Sequence, residues 1–444
     1  MFEIFRDYFG YEDNDTITAN LTEEQLSALH LLESGVNVFL TGGAGTGKAY
    51  LINVFRKLNQ RKNILVTAPT GVAAQNVNGA TLHRTFRIPA YMLSPHEPLK
   101  NTKTISKLLA EVDILIIDEI SMCRADIFTY VIRYIAHENK RRSCLKKYRA
   151  PIQLIVVGDF FQLPPVITTK EKEAWKELWG DNEGWAFTCG AWDYMKIRTV
   201  ELTEVIRQKN ADFAMALNKI RVNDPNGIGY LNSHRRSEVN NNAIYLCCKN
   251  AVAEEINYQK LQEVDGKEKE FTMKKEGDVS SIKKSDYVCE ETLNLKIGAK
   301  VMILINDPLE QYSNGSCGIV KHFTPEGVIV TLDKGGDVEI KPHKWKICDY
   351  SLSKDPDTGK AITQQEEIAS YTQLPLKLGY AITIHKSQGQ TYDAVNVDVR
   401  DIFANGQLYV ALSRCRSIEN TYFNTPITPN KLKVSSTVLN HYIA

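Results

Sequence analysis

The sequence lacks any long hydrophobic run. None of its 444 residues belongs to an uncharged apolar stretch of about 18 or more residues, the length that a helix needs to cross a bilayer. Residues 1–15 also lack the basic segment followed by an apolar segment that is typical of a signal peptide. We therefore expect no membrane partner, and we expect a soluble cytoplasmic protein.

The cysteines show no metal-binding spacing. The nine cysteines form no CxxC pair, and Cys247 and Cys248 lie inside an apolar run. This pattern excludes a disulfide framework and a zinc ribbon as the basis of the fold, and it fits a reducing compartment. The sequence also has no fixed-period repeat, which excludes a solenoid.

Charge of one sign is not in excess. Fifty-four Lys and Arg residues oppose 53 Asp and Glu residues, so the net charge of +1 neither indicates nor excludes a polyanionic partner. The sequence has one local basic patch, which we interpret as a solvated helix–loop face rather than a nucleic-acid site. It contains Lys140, Arg141, Arg142, Lys146, Lys147 and Arg149.

Five short apolar runs indicate the first domain. They are almost uniformly apolar rather than alternating, and helical patterns separate them, as expected of parallel strands that are covered on both faces. The runs are 36–40, 63–67, 114–117, 153–157 and 198–202. The sequence therefore predicts an α/β domain with a parallel sheet.

A second α/β domain, split by an insertion, is predicted from the runs 243–248, 394–399 and 408–412. The insertion has short strands separated by turn residues, which is typical of a small antiparallel barrel. Residues 86–104 contain three prolines and predict a loop or hairpin. The predicted boundaries are 1–195 for the first domain, 196–257 with 374–444 for the second, and 258–373 for the insertion.

The segment from Gly42 to Lys48 has the sequence of a phosphate-binding loop. It reads GGAGTGK, follows a predicted strand and opens a predicted helix, so that backbone N–H groups and Lys48 meet the phosphates. The next residue is normally Ser or Thr, whose hydroxyl binds Mg²⁺, but here it is Ala49. Nucleotide contacts are predicted for Gly43, Ala44, Gly45, Thr46, Gly47, Lys48 and Ala49.

Two carboxylates, Asp118 and Glu119, follow the predicted strand 114–117. A carboxylate at this edge can hold Mg²⁺ through water, and its neighbour can activate the attacking water. Asp118 is therefore the candidate metal ligand and Glu119 the candidate base. An Asp-Glu pair after a strand also occurs as a helix N-cap, but the preceding phosphate-binding loop favours catalysis.

Three more polar side chains are candidates for catalysis. Gln162, in the segment 158–165 after the strand 153–157, is a candidate sensor of the γ-phosphate, although this pattern also fits an ordinary loop. Arg207 and Arg414 follow apolar elements of the predicted second domain. Arginines delivered across a cleft stabilise charge on the transferred phosphoryl group, worth about 10³-fold or more in rate. Each arginine alone also fits a surface ion pair.

Nine segments, in order, resemble the motifs of superfamily-one helicases. They lie at 21–25, 42–48, 67–74, 81–83, 118–122, 158–162, 202–207, 380–390 and 409–414. They are most similar to the Pif (petite integration frequency) family in its short bacterial form, with RecD-like enzymes as cousins. The resemblance covers residue 21 to about residue 417, and Ala49 is its one conspicuous departure.

This resemblance implies an ATP-dependent DNA helicase that moves five-prime to three-prime on single-stranded DNA. It implies two RecA-like P-loop domains, an SH3-like barrel inserted in the second, and an accessory hairpin at 86–104 that acts as a wedge. The implied cofactors are ATP and Mg²⁺. The implied partners are single-stranded DNA and forked or structured DNA, including G-quadruplexes, and we expect a bacterial or phage monomer.

The resemblance also implies site residues. Gln25 is expected to read adenine, and Gly389 is expected to contact the nucleotide. Phe86 is expected to stack on a base, with a core or hinge position as an equal alternative. The remaining expected DNA contacts suit phosphate and sugar, although each also fits a cap or turn. They are Pro69, Thr70, His83, Thr383, His385 and Lys386.

Two other functions stay open. The first is a nucleotide-gated DNA clamp whose ATPase is weakened by Ala49, and DNA-stimulated phosphate release distinguishes it from a motor. The second is a RecD-type subunit of a nuclease complex, for which the sequence offers no nuclease-like carboxylate cluster.

Overall fold

The structure is a computed structural model. It describes residues 17–89, 91–100, 102–145, 149–169, 171–208, 210–236, 238–241, 243–277, 287–307, 309, 311–312, 314–333, 335–354 and 361–442. The expectation about residues 1–15 therefore lies outside the described residues, as do Lys146 and Lys147 of the basic patch. Within the described ranges, no helix is both long and apolar enough to cross a membrane.

Six parallel strands form the sheet of the first domain. They are β1 (Val38–Gly42), β2 (Ile64–Ala68), β3 (Ala80–Thr81), β4 (Ile114–Ile117), β5 (Gln153–Val157) and β6 (Arg198–Leu202). Their order is β3-β2-β4-β5-β1-β6, and every neighbouring pair is parallel. The predicted parallel α/β domain is confirmed.

Helices flank this sheet. They are α1 (Glu23–Glu33), α2 (Lys48–Leu58), α3 (Gly71–Asn76), α4 (Leu82–Thr85), α5 (Thr102–Glu111), α6 (Ala125–Ser143), α7 (Lys172–Trp179) and α8 (Gly190–Tyr194). Short 3₁₀ turns follow at Ile120–Met122 and Ala186–Thr188.

The apolarity of β1, β2, β4 and β5 has a direct structural reason, whereas the edge strand β6 is largely exposed and carries Arg198, Thr199 and Glu201. In β1, Phe39 belongs to the hydrophobic core on one side of the sheet, whereas Val38 and Leu40 belong to the core on the other side. Successive strand side chains point to opposite faces. A strand buried on both faces therefore needs apolar residues at every position.

The predicted boundary between the domains at residue 195 is wrong. Strand β6 begins at Arg198 and pairs with β1 along its whole length, so it belongs to the first sheet. The chain therefore enters the second domain only after Leu202.

The second domain has a four-stranded parallel sheet. Its strands are β7 (Ile244–Cys247) and, beyond the insertion, β18 (Ala381–Thr383), β19 (Val395–Val397) and β20 (Thr421–Tyr422), in the order β18-β7-β19-β20. Its helices are α9 (Ala211–Arg221), α10 (Ile228–Ser233), α11 (Asn250–Glu263) and α12 (Gln407–Leu412), with 3₁₀ turns at Pro225–Gly227, Ile418–Asn420 and Pro429–Lys431. The prediction of a strand-like run at 408–412 is wrong, because these residues are helical. All their side chains are buried in the core of this domain, and an apolar run this short does not distinguish a buried helix from a buried strand.

The insertion is antiparallel, as predicted. Its strands are β8 (Lys269–Thr272), β9 (Lys274–Gly277), β10 (Thr292–Leu295), β11 (Lys300–Ile303), β12 (Cys317–Phe323), β13 (Val328–Leu332), β14 (Asp337–Ile340), β15 (His343–Lys354), β16 (Ala361–Gln373) and β17 (Leu376–Leu378). Five form a sheet in the order β14-β13-β12-β11-β17, β10 pairs with β8, and β15-β16-β9 form a third sheet. The predicted limits of 258 and 373 are shifted, because α11 continues to Glu263 and β17 pairs with β11.

Of the two alternatives predicted for 86–104, a loop or a hairpin, the described residues before α5 form a loop, since they contain no strand. It is an irregular segment fixed onto neighbouring helices. The backbone N–H of Leu93 donates to Asp126 at 3.0 Å, and the Trp179 indole donates to the Leu93 carbonyl at 2.9 Å. Arg133 donates to the carbonyl of Glu97 at 2.6 Å.

The chain returns to the first domain at its C-terminal end, through helix α13 (Ser436–Tyr442). Val438 is fully buried in the first domain's core. The ring of Tyr442 lies 6.2 Å from that of Phe160 and 5.8 Å from that of Phe161, between centroids. The predicted assignment of 374–444 to the second domain is therefore wrong for this last helix.

Arg142 holds the end of α5 against α6. Its guanidinium donates to the carbonyls of Leu109 and Val112, both at 2.6 Å, and to that of Ala150 at 2.8 Å. It also lies 3.3 Å from the buried carboxylate of Glu138. Because the last carbonyls of a helix have no partner within the helix, Arg142 supplies the missing donors. With 2% exposure it is structural and not part of a solvated basic face.

We predict that Arg142→Ala lowers the free energy of unfolding by about 3 kcal/mol, because it leaves Glu138 and several carbonyl groups without this buried donor. Arg141→Ala is the matched control. Arg141 binds the same carboxylate but its side chain is 44% exposed, so its loss should cost below about 1 kcal/mol. Urea unfolding followed by circular dichroism measures both, and equal losses would contradict the assignment.

Candidate active site

The phosphate-binding loop joins β1 to α2 in the predicted position. Gly45 and Gly47 adopt left-handed backbone conformations with φ of 88° and 84°. A Cβ at Gly45 would lie 2.5 Å from the Cβ of Arg207, and one at Gly47 would lie 2.4 Å from Nε2 of Gln25. Glycine is required at both positions, because the backbone turns tightly and other elements approach it closely.

Lys48 lies inside this loop. Its ammonium group donates to the carbonyl of Gly42 at 2.7 Å and to that of Gly43 at 3.0 Å. Burial lowers its pKa to about 8, and the negative charge of Asp159 opposes that shift. The ammonium group is therefore desolvated and close to the backbone that would surround a phosphate.

The side chains of Gln25 and Thr46 support the loop, whereas Ala49 has no oxygen that could bind a metal ion. Gln25 caps the start of α1 together with Thr22, and its Nε2 donates to the carbonyl of Thr46 at 3.2 Å. The hydroxyl of Thr46 donates to the carbonyl of Gly43 at 3.0 Å. Ala49 is exposed at the second position of α2. Gln25 thus lies beside the phosphate-binding loop, which is the position expected of a residue that contacts the adenine of ATP.

Asp118 and Glu119 lie at the end of β4, as predicted. Burial and, to a smaller extent, the neighbouring charge of Glu119 raise the pKa of Asp118 to about 7, while the backbone N–H of Glu119 and the charge of Lys48 oppose that shift. Glu119 has a left-handed backbone, with φ of 50° and ψ of 47°. Such a conformation is strained for a residue other than glycine and is common at functional sites.

A single carboxylate is enough for Mg²⁺ at a site of this type. Within the described ranges, no group of three or more His, Cys, Asp or Glu side chains is placed to hold a metal ion. Mg²⁺ is usually bound by one or two carboxylates together with substrate phosphates and water. Asp118 beside the phosphate-binding loop fits that donor set, and Ala49 supplies no oxygen.

The segment after β5 contains Asp159 and Gln162, both buried. Nε2 of Gln162 lies 3.4 Å from Oδ2 of Asp159. Asp159 also accepts hydrogen bonds from Arg221 of α9, at 3.0 Å from Nη2 and at 3.1 Å and 3.2 Å from Nε. Sequence reasoning missed Arg221, because a basic residue at the end of an amphipathic helix carries no signal of an ion pair with a distant loop.

Arg207 and Arg414 lie in different surroundings. Arg207 adjoins the loop, since its backbone N–H and that of Ile206 donate to the carbonyl of Gly45 at 3.1 Å and 2.9 Å. Burial lowers its pKa to about 10, and the charge of Arg414 adds to that effect. Arg414 is 2% exposed. Its guanidinium binds its own domain, including the carbonyl of Val410 at 2.9 Å.

The second domain also covers the loop directly. The hydroxyl of Tyr409, on α12, accepts a hydrogen bond from the backbone N–H of Ala44 at 2.6 Å. Gln388 donates to Glu119 at 2.9 Å. A Cβ at Gly389 would lie 3.5 Å from Oε1 of Glu119, so the predicted nucleotide contact at Gly389 falls beside the candidate base. Tyr409 and Gln388 belong to the recognised motifs, but sequence reasoning did not select them.

The candidate DNA contacts divide between the two domains. Pro69, Thr70 and His83 are half-buried on the first domain, and the hydroxyl of Thr70 accepts from the backbone N–H of Ala73 at the start of α3. In the second domain Thr383 is buried, His385 is half-buried and Lys386 is exposed. Burial lowers the pKa of His385.

Phe86 corrects a prediction. Its ring is fully buried in the core of the first domain, with its centroid 6.0 Å from that of Tyr134. It follows α4 directly and fills the space between this helix and α6. The expected stacking on a base is therefore wrong, and the alternative core position is correct.

Comparison with known proteins agrees with this architecture. The PIF1-like helicase family model matches residues 20–224. The chain is 33% identical to the ATP-dependent DNA helicase Pif1 of Bdellovibrio bacteriovorus, with 95% of this chain and 91% of that protein covered.

Solved structures agree as well. Pif1 from Bacteroides sp in complex with ADP-AlF4 matches with a TM-score of 0.82 at 33% identity, covering 95% of this chain and 96% of that one. Bacteroides Pif1 bound to single-stranded DNA matches with a TM-score of 0.66 at 34% identity and the same coverage. The chain therefore belongs to the PIF1-like helicase family, whose curated members compared here are ATP-dependent DNA helicases.

Proposed function

We propose that the chain is an ATP-driven DNA motor that moves five-prime to three-prime on single-stranded DNA and unwinds duplex or structured DNA. The observation that carries this proposal is the direct contact of the second domain with the catalytic groups of the first. Tyr409 binds the phosphate-binding loop, and Gln388 binds the candidate base Glu119. Binding and hydrolysis of ATP at this interface would therefore change how the domains are arranged.

Most of the catalytic candidates have a defined part in hydrolysis, but Arg414, whose guanidinium binds its own domain, is given none. Lys48 and the loop N–H groups bind the phosphates, and Glu119 accepts the proton of the attacking water. Gln162 senses the γ-phosphate, and Arg207 stabilises negative charge that develops on it. Asp118 is the residue that would hold Mg²⁺, and the ion would supply neutralisation of the phosphate charge.

DNA would cross both domains at the ends of their parallel strands. Pro69, Thr70 and His83 serve one domain, and Thr383, His385 and Lys386 serve the other. The direction of travel rests on the resemblance to the family. The two Bacteroides Pif1 structures are 33% and 34% identical to this chain. The TM-score is 0.82 for the complex with ADP-AlF4 and 0.66 for the complex with single-stranded DNA. This difference supports a change in domain arrangement when DNA binds.

We also propose that one copy is sufficient for translocation, because residues of both RecA-like domains of the same chain enclose the nucleotide site. The irregular segment 86–104 is the proposed wedge, since it is anchored on α6 and α7. We propose that the protein acts in a bacterial cytoplasm and that its substrate is cellular or phage DNA.

A nucleotide-gated DNA clamp is the second candidate function. The observation that favours it is Ala49, which removes one oxygen from the expected Mg²⁺ site. Phosphate release measured with and without single-stranded DNA separates a clamp from a motor.

Lys48→Ala is expected to abolish ATP hydrolysis stimulated by single-stranded DNA, because the ammonium group binds the phosphates and offsets charge in the transition state. A coupled phosphate-release assay measures the rate. Circular dichroism checks the fold, and turnover retained in a folded variant would refute the active-site assignment.

Arg207→Ala is expected to lower kcat by about 10³-fold while nucleotide affinity changes little, since a cross-domain arginine acts mainly on developing charge. Arg416→Ala is the control, because this exposed arginine is close enough for its charge to act on Arg207, so the variant removes a nearby positive charge while keeping Arg207 itself. Arg414→Ala should instead lower the melting temperature, since its buried guanidinium binds several groups of its own domain. Parallel loss of binding and kcat in Arg207→Ala would disprove its role.

Ala49→Ser is expected to lower the Mg²⁺ concentration needed for half-maximal ATPase and to raise kcat, since a hydroxyl there becomes a metal ligand. Affinity for nucleotide without metal should stay the same. Ala49→Gly is the control, because it changes the side chain without adding oxygen. Superimposable Mg²⁺ titrations of the parent and serine proteins would show that the departure at Ala49 is silent.

A further inference from the structure

A hydrogen bond between the two RecA-like domains acts directly on the candidate base. Nε2 of Gln388 donates to Oε2 of Glu119 at 2.9 Å, and it lies 3.5 Å from the hydroxyl of Ser121. Gln388 is buried, and its Oε1 has no hydrogen-bond partner among the described residues. The amide nitrogen is therefore the end of this side chain that makes its contacts.

We propose that Gln388 is a positioning residue that orients Glu119 and makes hydrolysis depend on DNA held by residues 383–386. The inference rests on the proposed function, and it goes further by naming the side chain that joins the DNA-contacting segment to the base. Three features of the structure support it.

The first feature is a compact turn that contains both the candidate DNA-contacting residues 383–386 and Gln388. Backbone N–H groups of Ser387, Gln388 and Gln390 donate to the carbonyls of Thr383, His385 and Ser387 at 3.0 Å, 3.3 Å and 3.0 Å. These bonds follow one another without a gap along residues 383–390. A displacement of His385 or Lys386 by DNA therefore moves Gln388 as well.

The second feature is the anchor of this turn to the core of its domain. The guanidinium of Arg414 lies 3.4 Å from the carbonyl of Ser387 and 3.3 Å from that of Gln390. Both carbonyls flank Gln388. Because Arg414 is fully packed in the second domain, the turn moves with that domain rather than independently of it.

The third feature is the constrained position of Glu119. Its left-handed backbone fixes the direction in which the side chain leaves β4. Gln388 binds Oε2, and we assign the other oxygen, Oε1, as the acceptor of the proton of the attacking water. Oε1 lies beside Gly389, where a Cβ would stand 3.5 Å away, at an ordinary van der Waals distance.

The test compares Gln388→Met, which has the same length but no donor, with the parent protein. We expect kcat in the presence of single-stranded DNA to fall by about tenfold or more, as when a group that orients a catalytic residue is lost. The KM for ATP and the Kd for a labelled oligonucleotide should change by less than about twofold. Affinity for ADP·AlF4 should fall in step with kcat, whereas affinity for ADP should not.

Gln390→Met is the matched control. Gln390 lies in the same turn and is buried, but its side chain accepts from the hydroxyl of Tyr392 and does not touch Glu119. This variant should retain stimulation by DNA. Gln388→Glu is the second variant, because it keeps the size and polarity of the side chain while placing an acceptor against the carboxylate. It should lose stimulation as Gln388→Met does, which separates orientation of Glu119 from a loss of folding.

The outcomes are distinct. If Gln388→Met and Gln388→Glu keep full stimulation, or if Gln390→Met loses it equally, the role of Gln388 is refuted while the proposed motor stands. A loss that follows DNA affinity or the KM for ATP would also refute it. If the parent protein hydrolyses ATP at the same rate with and without DNA, both this inference and the proposed function fail.

Discussion

The buried ion pair between Asp159 and Arg221 is the interaction on which the site depends. Asp159 is fully buried in the loop after β5, and Arg221 ends helix α9 of the second domain. The guanidinium also lies 4.6 Å from the ring centroid of Phe161. Removal of one partner from such a pair costs about 3–5 kcal/mol, because the other charge stays buried. The pair therefore ties the loop that carries Gln162 to the second domain, and its carboxylate also favours the charged form of Lys48.

The sequence predicts much of this arrangement, because buried parallel strands have a recognisable apolar pattern. Strands buried on both faces need apolar residues throughout, so the runs before Asp118 and Gly158 were visible and placed both segments at one sheet edge. Contacts across the domain interface left no comparable signal. Arg221 and Gln388 have functional neighbours only after the domains come together. For Phe86 the sequence leaves a base contact and a core position equally open, because an aromatic residue beside a motif looks the same in both cases, and here the ring packs on Tyr134.

The enclosure of the phosphate-binding loop explains why hydrolysis and domain arrangement are linked. The N–H of Ala44 binds Tyr409, and the carbonyl of Gly45 binds the backbone of residues 206 and 207. A change of only a few tenths of an ångström in the loop alters hydrogen bonds that both domains share, since such bonds weaken steeply with distance and angle. A nucleotide in this loop would therefore act on the second domain without any long connecting path.

The C-terminal helix limits the movement that this link can produce. Val438 is seated in the first domain's core and Tyr442 packs against Phe160 and Phe161, although the preceding chain belongs to the second domain. Full separation of the domains would pull these side chains into water. The free-energy cost is about 1.5–3 kcal/mol for a side chain of the size of Val438. It would also break the pair of Asp159 and Arg221. A rotation of the domains that keeps both contacts avoids these costs. Opening on that scale, rather than dissociation of the domains, is the movement that this fold favours.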